Sequence, residues 1–189
     1  YAHNYAYEST AYNKGAVFLS QLGYIIGKEK LYETLQTYYK EWKFKHPLPN
    51  DLRVIAERVS GIQLQWYLTD WTQTTNTIDY AINAVEENNR KTSVSLERKQ
   101  LMPMPLEILV QYKSGEAELH YIPISLMRGE KENSYTMPWT IQPDWKYAHL
   151  NYTLELNRAK SEIEAIVIDP GNLMADIDKS NNFYAAKEK

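Results

Sequence analysis

The hydrophobic repeat changes once along this chain, and that change limits what it can fold into. Over residues 11 to 71, apolar side chains recur at spacings of three and four, the repeat of an amphipathic helix. Beyond Trp71 and the polar connector TQTTNT they alternate with polar ones, the repeat of a half-buried strand. A helical pattern does not bury its apolar face as a strand, nor the reverse. The 189 residues are therefore predicted to form an α+β fold in two parts, 1–76 helical and 77–189 made of strands.

In the helical part, Ala16, Leu19, Leu22, Gly23 and Ile26 make one apolar stripe, and Gly27 ends it. A second helix runs from Glu29 to about Phe44, with Leu31, Leu35, Tyr38, Tyr39 and Trp42 inward. His46-Pro47-Leu48-Pro49 stops it, because a residue before proline avoids the helical conformation. Asn50 is the expected N-cap of DLRVIAERVS, with Asp51 in the first turn and Ser60-Gly61 as the end signal. LQWYLTDW, residues 64–71, reads as a short aromatic helix. Candidate strands follow at 80–85, 92–98, 106–112, 117–126, 139–141, 150–155 and 165–168. Asn88-Asn89-Arg90 and Lys113-Ser114-Gly115 are turn signals between them. Short strands at this spacing predict an antiparallel, immunoglobulin-like β-sandwich.

Several chemistries are excluded or unsupported. With no cysteine, there is no disulfide, thiolate ligand or cysteine nucleophile. A net charge of -3 gives no basic field for nucleic acid. No apolar run reaches transmembrane length. His3, His46, His120 and His149 form neither an H-x-x-x-H pair nor H-E-x-x-H. Serine elbows, Walker loops and dinucleotide glycine fingerprints are absent from the sequence. Asp169-Pro170-Gly171-Asn172 with Asp176 and Asp178 has calcium-like residue types but not the EF-hand spacing, and a turn is the expected reading. Asn151-Tyr152-Thr153 matches a glycosylation sequon by pattern, inside a predicted strand. Sixteen tyrosines and five tryptophans against three phenylalanines favour half-buried positions with an apolar body and a polar tip.

The stretch YESTAYNKGAVFLSQLGYIIG remains. Tyr7 and Tyr12 stand five apart before the apolar run, and Lys14-Gly15 interrupts the first helical turns. Gly15 would let another backbone or a substrate group approach closely, and close helix contact explains it equally well. By spacing alone, a tyrosine here is a packing residue.

The order of residues from Tyr12 to Trp71 resembles the M1 family of zinc aminopeptidases, in the segment downstream of their zinc site. The resemblance rests on Tyr12-Asn13-Lys14-Gly15, the Leu19 to Gly27 helix, Tyr38 to Phe44, Asp51 to Gly61, and Leu64 to Trp71. IVIDPGNLMADIDKSNN is similar to the end of the β-sandwich domain of bacterial, Bacteroidetes-type members. The resemblance implies a parent enzyme that removes N-terminal residues from peptides, with zinc as its cofactor and a periplasmic or extracellular location. It implies that Tyr12 donates a hydrogen bond to the oxyanion forming on the scissile carbonyl. A phenol titrates near 10 and keeps its proton at neutral pH. Tyr7 is implied as a secondary, orienting residue.

The zinc ligands, the general base and the loop that holds the substrate amine have no counterpart in this sequence. The chain is therefore expected to be a C-terminal fragment, inactive and zinc-free alone, whose partners are the missing N-terminal domains of the same chain. A non-catalytic M1-like interaction or structural module is the alternative. A glycan-binding sandwich using Trp139 or Trp145 is a third reading, from composition only.

Overall fold

The computed structural model describes residues 3–186, and the fold is α+β. The chain divides into two compact units. One comprises Tyr1–Thr75 with Met127–Ser134 and Leu173–Ala175; the other comprises Asn76–Leu126, Tyr135–Asn172 and Asp176–Lys189.

The helical unit opens with α1 (Asn4–Glu8), which passes into a π-helical stretch, Ser9–Lys14, and then into α2 (Gly15–Ile26). Helix thus begins earlier than the apolar repeat does. Leu22, Tyr24, Ile25 and Ile26 of α2 are buried, but Ala16, expected in the stripe, is exposed. Gly27, at φ 89°, ends α2. α3 (Lys28–Trp42) buries only Thr34 fully; Leu31, Leu35, Tyr38 and Trp42 are half-buried, and Tyr39 is exposed rather than inward.

α4 (Pro49–Ser60) starts one residue before the expected cap. Leu48, not Asn50, is the N-cap, because Pro49 suits the first helical position. The Asp51 carboxylate reaches back to accept the Leu48 N–H at 2.7 Å. Gly61 closes α4 in the left-handed conformation, φ 74°, as its sequence signal predicts. α5 (Gln65–Gln73) follows, tied to α4 by Glu57, which accepts the Leu64 N–H at 2.7 Å and pairs with Arg53 at 2.6 Å.

The strand unit holds two sheets. The first, β1 (Tyr80–Asn88), β2 (Lys91–Arg98) and β6 (Asn151–Leu156), is antiparallel throughout. Asn89 and Arg90 make the β1–β2 turn with φ of 52° and 62°, the mirror-image turn that suits strand twist. The second sheet has the order β5-β4-β3-β7-β8. Its members are β3 (Leu106–Tyr112), β4 (Ala117–Ile122), β5 (Trp139–Ile141), β7 (Ile163–Ile168) and β8 (Phe183–Ala185). It departs from the expected antiparallel pattern at β5, which runs parallel to β4. A parallel neighbour needs a crossover rather than a hairpin. Residues 123–138 provide one, and Met127–Ser134 within it belongs to the helical unit. β8 was not foreseen, and β4 stops at Ile122 because Pro123 cannot donate to a ladder. Val94, Leu96 and Leu154 are buried in one sheet, and Ile108, Val110 and Ile166 in the other.

Candidate functional site

On an ideal α-helix, residues five apart point about 140° away from each other. Tyr7 and Tyr12 nevertheless meet: their ring centroids lie 6.0 Å apart at 87°, edge to face. The helix is continuous between them, but over Ser9–Lys14 its hydrogen bonds widen to the i→i+5 pattern. That widening turns Tyr12 back onto the side of Tyr7. The T-shaped contact sets the positive edge of one ring against the negative face of the other. Tyr7 is 46% exposed and Tyr12 65%, so both rings are accessible. The two sequence-predicted site residues are brought together as a pair.

The half of α2 beyond them is held by polar as well as apolar contacts. The Tyr67 hydroxyl donates to the Phe18 carbonyl at 2.5 Å, and burial pushes its phenol well above its ordinary pKa. Gln21 is 2% exposed, donates through Nε2 to the Leu173 carbonyl at 2.9 Å, and accepts the Ala175 N–H through Oε1 at 2.9 Å. Lys131, also buried, donates to the Tyr24 carbonyl at 2.7 Å with its ammonium 4.5 Å from the Tyr24 ring centroid. None of these holding residues was picked out from sequence. The available signal was Gln21, a long polar residue beside Leu22 in a largely apolar helix.

Gly15 has helical dihedrals, and a Cβ added there would meet nothing within 4 Å. Among the described residues, no backbone or neighbouring helix approaches Gly15 closely. Gly23 is the packing glycine of α2: a Cβ there would stand 3.0 Å from Leu31 Cδ2.

The other sequence candidates take structural places. Asn172 N–H donates to the Asp169 carbonyl at 2.9 Å, closing a turn. Asp176 accepts from the Tyr80 N–H, the Asp178 N–H and Asn182, while Asp178 caps Ser180. Burial raises the Asp176 carboxyl, and the Ser180 hydrogen bonds lower that of Asp178. Among the described residues no three His, Asp or Glu side chains are grouped so as to hold a metal. His120 is buried in β4 with Nδ1 3.1 Å from Gln142 Nε2 and Nε2 3.4 Å from Glu118. Trp145 cannot serve an exposed glycan platform: it is 2% exposed, packs against Tyr80 and Tyr152, and donates to the His149 carbonyl. Trp139 stacks on Tyr121 at 4.6 Å. No helix among the described residues is long and apolar enough to cross a membrane.

With this geometry in place, the comparisons with known proteins bear on one region. Part of the chain is similar to part of an M1 aminopeptidase. The relative is Aminopeptidase M1-D of Oryza sativa subsp. japonica, 30% identical over 67 residues. Those residues make up 35% of this chain and 8% of that protein, so the chain spans less than a tenth of the relative's length. No family model matches.

Proposed function

We propose that this chain is the C-terminal portion of a zinc-dependent M1 aminopeptidase that removes N-terminal residues from peptides. The observation that carries the reading is the local similarity to an enzyme of that name. The exposed Tyr7–Tyr12 pair agrees with it, since a residue that meets substrate must be reachable. No group of three His, Asp or Glu side chains that could hold a metal lies among the described residues. In this reading zinc, the general base and the amine-binding groups belong to another part of the enzyme, and the chain alone hydrolyses nothing.

What this chain supplies is a phenol. Tyr12 donates its hydroxyl proton in a hydrogen bond to the carbonyl oxygen of the scissile peptide as negative charge develops there. A donor fixed in advance acts in the transition state more than in the ground state, so it lowers the barrier rather than tightening binding. Tyr7, edge to face with Tyr12, limits the directions the Tyr12 ring can take. The test is Tyr12→Phe in the full-length protein. We expect kcat to fall by about 100-fold or more with KM nearly unchanged, the mark of a contact made only in the transition state. An unchanged kcat removes Tyr12 from the mechanism.

A further inference from the structure

Tyr12 sits at the far end of a lever. Its neighbours Asn13, Lys14, Ala16 and Val17 are exposed, Phe18 and Leu19 are half-buried, and full burial along α2 begins at Gln21 and Leu22. Tyr12 stands nine positions before Gln21, at most about 13.5 Å along the axis at the α-helical rise of 1.5 Å. A tilt of roughly 5° at the buried end moves the far end by about 1 Å. Misplacement on that scale costs an enzyme roughly 100-fold in rate.

Apolar burial at Leu22, Ile25 and Ile26 is non-directional; it sets how deep α2 sits but weakly sets where it points. Hydrogen bonds carry direction. Among the contacts that hold α2, Gln21 is a two-atom clamp. Its planar amide pairs with the Leu173 carbonyl and the Ala175 N–H, both at 2.9 Å, as a strand would pair with a strand. An amide offers a donor and an acceptor side by side without charge at any ordinary pH. Glutamate of the same length would aim a carboxylate at the Leu173 carbonyl, and leucine would serve neither backbone group.

We propose that Gln21 is a positioning residue for Tyr12, its buried amide fixing the direction in which α2 carries the phenol. This rests on the reading of Tyr12 given above. The experiment compares Gln21→Leu, Tyr12→Phe and the double variant in the full-length protein, with an aminoacyl anilide as substrate and melting curves to confirm folding. We expect Gln21→Leu to lower kcat at least about tenfold with KM within about twofold, and to cost nothing further once Tyr12 is phenylalanine. A general packing role gives a different result: the Gln21 effect then persists undiminished in the double variant, and the proposal is overturned. An unchanged kcat in Gln21→Leu also overturns it. If Tyr12→Phe alone leaves kcat unchanged, the reading of Tyr12 fails first, and is seen to fail separately. Should Gln21→Leu not fold, Gln21→Met takes its place, keeping an unbranched chain of similar length without the amide.

Discussion

Two glycines on one helix make opposite predictions. Gly15 has helical dihedrals and open space around its Cα, so Gly15→Ala should stabilise the chain by about 0.5–1 kcal/mol through helix propensity alone. Gly23→Val should destabilise it by about 1–3 kcal/mol, because the added carbons meet Leu31. Melting temperatures of the two variants in the 189-residue chain distinguish these directions. His120 makes a pH prediction. Burial lowers its pKa below the ordinary 6.5, and the nearby Glu118 offsets only part of that. As pH falls through 6.5, the unfolded chain takes up a proton that the folded chain resists, so stability declines until the folded-state pKa is passed. Urea midpoints at about pH 7.5 and about pH 5.5 should show this decline, and His120→Gln should flatten it. That the rings of Tyr7 and Tyr12 meet was not legible, because it depends on the π-helical stretch between them; as candidates the two residues were singled out by a local motif. Gln21 and Gly23 were not, because their partners, Leu173, Ala175 and Leu31, are set by tertiary packing that no local pattern records.

Among the elements, α4 shows what local chemistry predicts and where it slips. Asp51, Ser60 and Gly61 place the helix, but proline at its first position moves the cap to Leu48. Asp51→Ala should cost about 1 kcal/mol by removing the acceptor of the Leu48 N–H, read as a shift in the thermal midpoint. Asp51→Asn, which keeps an acceptor oxygen, should lose less. Strand positions were legible where alternation is strong, as at β2, and the turns at Asn89-Arg90 and Gly115 followed from their residue types. β8 is three residues long with no apolar repeat to announce it. The π-helical stretch over Ser9–Lys14 has no sequence signal either, yet it alone pairs two tyrosines that an α-helix would separate.

For the molecule as a whole, the division into helices and strands was legible because the two periods are incompatible in one element. The crossover through residues 123–138 was not, since a loop that serves another unit has no repeat of its own. The central claim concerns activity, and hydrolysis tests it most directly. The measurement is turnover of chromogenic aminoacyl anilides, with zinc content read in parallel, by the full-length protein and by the 189-residue chain. Our account predicts zinc-bound, chelator-sensitive turnover by the full-length protein and neither zinc nor turnover in the chain alone. No turnover by the full-length protein, or chelator-sensitive turnover by the isolated chain, would contradict it.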